Sequence, residues 1–171
     1  MGFIGVVSNK RFYENISKEI LEKNKEKDII IIYINLKNLD NFKNIKFELI
    51  IIESEIKTQL EILNNKNILE KLCGNTKHIL LNADSNNIKE LKCNNIITYG
   101  LNNNSDITIS SIQENNILIY CQKNIKIENK EIIEIEETKV YTGNNNKLNI
   151  YEIISIYNVF RINKGRKICN L

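Results

Sequence analysis

Asp28-Ile29-Ile30-Ile31-Ile32-Tyr33-Ile34 and Phe47-Glu48-Leu49-Ile50-Ile51-Ile52-Glu53 are near-continuous apolar runs separated by a short polar interval. A strand with one wet face alternates apolar and polar residues, whereas a strand covered on both faces by helices does not. Both runs therefore predict central strands of a parallel sheet. Upstream, Phe3 to Val7 is a third short apolar run. It is followed by the polar stretch Ser8 to Arg11 and then by Phe12, Ile16, Ile20 and Lys23 at helical spacing. Downstream, Ile56 to Cys73 repeats the helical spacing through Leu60, Leu63, Ile68 and Leu72, and Gly74-Asn75 marks its stop. Lys77 to Asn82 reads as another buried strand, Ile88 to Leu91 as a short helix, and Asn95 to Tyr99 as a strand. Strands alternating with helices at this pitch give right-handed crossovers and an open α/β sheet.

After Gly100 the period changes. Asp106-Ile107-Thr108-Ile109-Ser110 alternates, as do parts of Asn124 to Ile127 and Glu131 to Ile135, with Asn-rich turns between them. This predicts a small antiparallel sheet. Asn146 to Ile162 closes the chain as a helix with Leu148, Ile150, Ile153, Ile154 and Val159 inward. There is no proline and no repeat, so the reading is one domain over 1–171: a parallel α/β part over 1–100, an antiparallel part over 101–145 and a closing helix over 146–163.

Composition narrows the function classes. With 171 residues the chain buries most of its apolar surface without needing disulfides. The net charge of +3, with Lys and Glu evenly mixed and no arginine cluster, gives no reason to expect a nucleic-acid partner. Apolar runs of about six residues fall far short of the roughly 20 that cross a bilayer, and the start lacks a signal-peptide layout. A cytoplasmic protein without membrane contact is expected. Cys73, Cys93, Cys121 and Cys169 show no paired spacing and His78 is the sole histidine, so neither zinc nor haem is expected and the thiols read as reduced and structural. The chain is rich in Ile, Lys and Asn, which fits an A/T-rich coding bias, so a lone Asn or Lys carries little weight. Ser110-Ser111 and Ser54 have no usable histidine, which argues against a hydrolase triad, and the Glu134-Glu136-Glu137 run reads as a solvated face.

Several short pieces form an ordered set. Leu49-Ile50-Ile51-Ile52-Glu53-Ser54 is an acidic strand end, Ile79-Leu80-Leu81-Asn82-Ala83-Asp84-Ser85 an Asn-x-Asp strand end, and Thr98-Tyr99-Gly100-Leu101 a Tyr-Gly turn. Gly143-Asn144-Asn145-Asn146-Lys147-Leu148-Asn149 then opens the last helix. In this order, over roughly residues 45 to 160, they resemble the central, ATP-binding domain of the Mur ligases, which join an amino acid to a carboxylate. Asn145 stands at that family's histidine, and Asn146 and Asn149 match its two asparagines. The resemblance implies a P-loop-type α/β fold with ATP and Mg²⁺ as ligands. It puts nucleotide contacts at Ser8, Asn9, Lys10, Asn146 and Asn149, a metal carboxylate at Glu53, and Asn82 and Asp84 at the cleft.

The chemistry of such a ligase asks for more than this. Phosphorylating a carboxylate requires a Gly-rich cradle whose backbone N–H groups and Lys hold phosphates at a helix start. Here Gly5-Val6-Val7-Ser8-Asn9-Lys10-Arg11 has no Gly beside Lys10 and no Ser or Thr after it. Lys10 and Arg11 at a helix start attract an anion by charge and dipole, or else belong to a solvated loop. The family's histidine and modified lysine for a second metal have no match among Lys57, Lys66 and Lys71, and its substrate-binding and C-terminal domains have no counterpart in this sequence. Glu53 reads more readily as a surface strand end that needs no function, and Asn146 equally as a helix cap. The expectation is a truncated, degenerate ligase-like pseudoenzyme: a weak nucleotide-binding or protein-interaction module, linked by resemblance to cell-wall-type ligase pathways, whose partner is another protein or a second copy. The alternative is a ligase component completed by a partner chain.

Overall fold

A computed structural model of the chain describes residues 2–24, 28–53, 64–84, 91–93, 95–127, 132–143, 147–164 and 170–171. Its parallel part runs β1 (Gly2–Val7), α1 (Lys10–Lys23), β2 (Ile29–Ile34), a 3₁₀ helix (Leu36–Phe42), β3 (Phe47–Ile52), α2 (Lys66–Gly74), β4 (Thr76–Asn82) and β5 (Ile96–Tyr99). Then come β6 (Ile107–Gln113), β7 (Asn116–Cys121), β8 (Ile125–Lys126), β9 (Ile132–Ile133), β10 (Glu136–Tyr141) and α3 (Ile150–Lys164).

Eight strands form one mixed sheet in the order β10-β7-β6-β5-β4-β3-β1-β2, and β8 and β9 pair separately and antiparallel. From β2 to β6 all neighbours are parallel, with Ile4 opposite both Ile31 and Leu49, and Ile50 opposite Ile79. The two Ile-rich runs are thus strands of the parallel sheet, β3 at its centre and β2 at its edge. The antiparallel strands β6, β7 and β10 extend the main sheet instead of forming a sheet of their own, so only β8–β9 answers to the expected small antiparallel sheet. The seam is narrow: β5 and β6 share one register pair, Tyr99 with Ile107. Asp106 reinforces it, its Oδ2 accepting from the Thr98 N–H at 2.9 Å while its own N–H donates to Thr98 Oγ1 at 2.9 Å.

Chain direction decides which face each helix covers. The connection β1–α1–β2 moves to one side of β1, and the return from β2 to β3 passes to its other side, so the winding reverses there. α1 packs on one face, with Phe12, Ile16 and Ile20 against Ile4, Val6, Leu49 and Ile51. The 3₁₀ helix, α2 and Leu91 pack on the other, against Val7, Ile34, Ile50, Ile52, Ile79 and Leu81. Among the described residues, α3 covers the first face over β4 to β7. A helix packed on all sides must be apolar nearly all round, and residues 152–160 of α3 are all buried. Each fully buried Ile contributes about 2 kcal/mol, so Ile153, Ile154 and Ile156 make α3 an integral part of the core.

α3 begins at Ile150 rather than Asn146, because a reciprocal cap sets its first turn. The Glu152 N–H donates to Asn149 Oδ1 at 2.9 Å and the Asn149 N–H donates to Glu152 Oε2 at 2.7 Å. The Ile88–Leu91 helix expected from sequence falls almost wholly outside the described residues, and Leu91 itself is irregular. Glu136 is not a solvated-face residue: it sits half-buried against Arg161 Nη2 at 2.9 Å. No helix among the described residues is long and apolar enough to cross a membrane.

Candidate functional site

In an open α/β sheet, ligands bind beyond the carboxyl ends of the strands where the winding reverses. Here that point lies between β1 and β3, and the Glu53 N–H donates to the Val7 carbonyl at 3.0 Å, continuing the ladder one residue past both strands. Residues at the ends of β1, β3, β4 and β5 therefore converge: Ser8, Glu53, Asn82, Asp84 and Tyr99.

They converge on one another. Alternation along β3, β4 and β5 turns Glu53, Asn82 and Tyr99 to the face covered by α1 and α3, as it turns Ile51, Leu80 and Ile97. Glu53 is 7% exposed. Its Oε1 and Oε2 accept from Asn82 Nδ2 at 2.8 and 2.9 Å, and Oε2 also accepts a short hydrogen bond from the Tyr99 hydroxyl. Asn82 uses its other end as well, with Oδ1 accepting from the Asp84 N–H at 2.9 Å. The Asp84 carboxylate in turn accepts from Leu101 N at 2.6 Å, Asn102 N at 3.2 Å, Asn102 Nδ2 at 2.6 Å and the Tyr151 hydroxyl at 3.1 Å. Gly100 makes room for this, since a Cβ there would stand 2.7 Å from Asp84 Oδ2. The acidic strand end, the Asn-x-Asp and the Tyr-Gly turn are thus successive parts of a single hydrogen-bonded network that ties β3, β4, the β5–β6 loop and α3 together.

The residues assigned to phosphate and base are committed locally. Asn9 caps α1, with Oδ1 accepting from the Phe12 N–H at 2.9 Å, and the buried Ser8 hydroxyl donates to the Asn9 carbonyl at 2.9 Å. Lys10 points outward, 78% exposed, with Glu14 Oε1 at 3.6 Å one helical turn on. Asn149 is held in the cap of α3, and Glu152 also accepts from Asn15 Nδ2 at 2.8 Å, joining that cap to α1. Asn146 lies outside the described residues. Among the described residues no group of three or more His, Cys, Asp or Glu side chains is placed to hold a metal ion. His78 is a buried residue of β4, on the sheet rather than at its edge.

Sequence reasoning marked Tyr99 only as half of a Tyr-Gly turn and Asp106 only as the start of an alternating strand, and it missed the Tyr151 hydroxyl, Asn102 and Glu152. Only Glu152 carried a signal, standing three residues after Asn149 as a capping box requires. The tyrosines have a measurable consequence. Burial, and then the Glu53 charge, push the Tyr99 hydroxyl well above the usual tyrosine range. Burial, and then Asp84, push Tyr151 up to about 12. In the unfolded chain both titrate near 10. Below pH 10 neither state has lost the proton and the contribution to stability is intact. As pH rises from 10 toward 12 the unfolded chain releases protons that the native state keeps, so stability falls, by about 1.4 kcal/mol per pH unit for a fully buried tyrosine such as Tyr99. Urea unfolding followed from pH 8 to 11 is expected to show this decline, flattened in the Tyr99→Phe, Tyr151→Phe double variant. An equally steep decline in the variant would assign it to other groups.

No protein-family model matches the chain, and no curated protein matches it.

Proposed function

We propose that this chain is a non-catalytic module, of the Mur-ligase central-domain and P-loop type in its fold, that works in the cytoplasm by associating with another protein in a cell-wall-type ligase pathway. The observation that carries this proposal is the state of Glu53. The carboxylate that a Mg²⁺-nucleotide would have to recruit is buried and already accepts three hydrogen bonds, from Asn82 and Tyr99. Freeing it for a metal would leave Asn82 and Tyr99 donors unpaired in a buried site. Of the two asparagines assigned to the base, Asn149 is likewise engaged, with Glu152. Together these contacts support reading the strand ends as a structural closure.

One observation favours a second proposal, a nucleotide site completed by a partner chain: Lys10 and Arg11 stand exposed at the start of α1, beside the reversal of winding. Thermal unfolding with and without millimolar Mg-ATP separates the two. A ligand present at ten times its Kd adds about 1.4 kcal/mol, which raises the Tm of a domain this size by about 3–5 °C. A closed strand edge predicts no shift with Mg-ATP, ADP or UDP-linked sugars. A rise of that size, lost in Lys10→Ala, would replace the first proposal by the second.

A further inference from the structure

The two edges of the main sheet are finished differently. β10 carries Glu136, Glu137 and Lys139, and Leu171 closes its end by donating its N–H to the Tyr141 carbonyl at 2.7 Å. Charges and a covering segment are ordinary means of keeping an edge strand from pairing with another chain. β2, at the opposite edge, is six residues, Ile29-Ile30-Ile31-Ile32-Tyr33-Ile34, without a charge, a proline or a break in its register against β1. The ladder fixes which of its backbone groups point outward. The Gly2 N–H donates to the Asp28 carbonyl at 2.7 Å, and Gly2 stands opposite Ile29. In a parallel pair that phase turns the N–H and C=O of Ile30 and Ile32 toward β1 and those of Ile29, Ile31 and Tyr33 away from the sheet. Among the described residues, the contact made to this outer row is the Tyr13 hydroxyl, 3.5 Å from the Ile31 carbonyl and so at the limit of a hydrogen bond. Apolar surface borders the row on both faces. On the first, Tyr13 packs on the Tyr33 ring at 5.1 Å, and Leu21, two turns further along the same flank of α1, is exposed. On the second, the half-buried Ile30 stands beside the exposed Phe3.

We propose that β2 is a self-association edge: a second copy of this chain adds its own β2 antiparallel to the first, about a two-fold axis between Ile31 and its copy. The outer row dictates that register. Facing residues of an antiparallel pair exchange both of their hydrogen bonds, so Ile31 meets Ile31 of the copy, Ile29 meets Tyr33 and Tyr33 meets Ile29. Every outward N–H then has an outward carbonyl, and the second lone pair of the Ile31 carbonyl lets it keep Tyr13 as well. The side chains agree, because Ile30 lies across from Ile32 of the copy and the seam brings no like charges together. The row offers no charge by which a different peptide would be selected, whereas its own sequence satisfies it. There is also room. Neighbouring strands are about 4.8 Å apart, which sets β1 and its copy about 14 Å from each other. Helices packed side by side need only about 8–10 Å, so the two α1 helices do not collide, and Tyr13 and Leu21 lie on the flanks turned toward the seam. An isologous pairing uses up both β2 edges, so assembly stops at two copies. The proposal stands independently of the function proposed above.

The test reads the mass and the amide exchange of the full chain. Light scattering on samples of up to about 200 µM is expected to give a mass that rises from 20.0 kDa toward twice that value and levels there. Ile30→Lys, which sets like charges diagonally across the seam on an uncovered face, is expected to hold the chain at 20.0 kDa. Ile31→Pro is expected to do the same, since it deletes an outward N–H and leaves the β1–β2 hydrogen bonds in place. Followed by NMR, the amides of Ile29, Ile31 and Tyr33 are expected to exchange at least about tenfold more slowly in the wild-type dimer than in the Ile30→Lys chain, while Ile32 is protected in both. A wild-type mass of 20.0 kDa at the highest concentration, growth beyond two copies, a dimer that Ile30→Lys leaves intact, or a dimer whose three outer amides stay unprotected would each overturn the proposal. The wild-type mass and exchange decide the matter even if neither variant folds.

Discussion

Replacing Gly5 by Val is expected to destabilise the domain by about 3 kcal/mol or to prevent folding. Gly5 lies inside β1 between two neighbours, opposite Ile32 of β2 and Ile50 of β3. A Cβ there would stand 2.6 Å from Ile34 Cδ1 and 3.2 Å from both Ile50 Cγ1 and Phe47 Cε1. All three side chains are within 1% of complete burial, so none can swing aside. Gly in a strand interior ordinarily weakens it; here it is kept because the core of the second face already fills the space. The obstruction can be isolated to one atom. Ile34→Val deletes Cδ1 and alone costs about 1 kcal/mol. If that methyl is the obstacle to Gly5→Ala, the Gly5→Ala, Ile34→Val double variant will lose clearly less stability in urea than the sum of the singles. Strict additivity would mean that the close approach at Gly5 is not what selects glycine.

How much of this was legible beforehand depends on whether the signal was local. Buried parallel strands advertise themselves through unbroken apolar runs, so β1 to β5 could be placed from Ile-rich segments alone, and α3 from its helical spacing. β7 and β10 could not: Glu136 to Tyr141 pairs with Asn116 to Cys121 across distant sequence, β7 in turn forms a hairpin with β6, and the inward set Ile117, Ile119, Thr138 and Val140 emerges only in the paired register. The start of α3 was misplaced because the run Asn144-Asn145-Asn146 offers several equivalent caps, whereas Glu152 completes a reciprocal pair only with Asn149. For the site, sequence order put Glu53, Asn82, Asp84 and Tyr99-Gly100 at neighbouring strand ends. That their side chains bond to each other, and not toward a ligand, depends on strand register and helix placement, which no motif encodes.

Removing the Tyr99 hydroxyl is expected to cost about 2–3 kcal/mol, although Tyr99→Phe keeps the ring in the core. The reason is asymmetry. The hydroxyl donates to a carboxylate buried at the end of β3, and without it that charge loses one of the donors that hold it. Asn82→Ala is expected to be at least as damaging, because it removes the amide that donates to both Glu53 oxygens and also the Oδ1 that holds the Asp84 N–H; taking one partner from a buried charge costs about 3–5 kcal/mol. Both costs should shrink once the charge is gone. In a Glu53→Met background, where an apolar side chain of similar length replaces the carboxylate, Tyr99→Phe is expected to cost under about 1 kcal/mol, since a donor and its acceptor have then been removed together. This cycle, measured by urea unfolding, bears directly on function. Carboxylates kept for a ligand rather than for folding commonly leave a protein equally or more stable when replaced. A network whose members depend on each other for stability is instead part of the scaffold. If Tyr99→Phe and Asn82→Ala leave stability unchanged, the strand-end cluster is not a structural closure, and Glu53 returns as the residue that a Mg²⁺-nucleotide would engage.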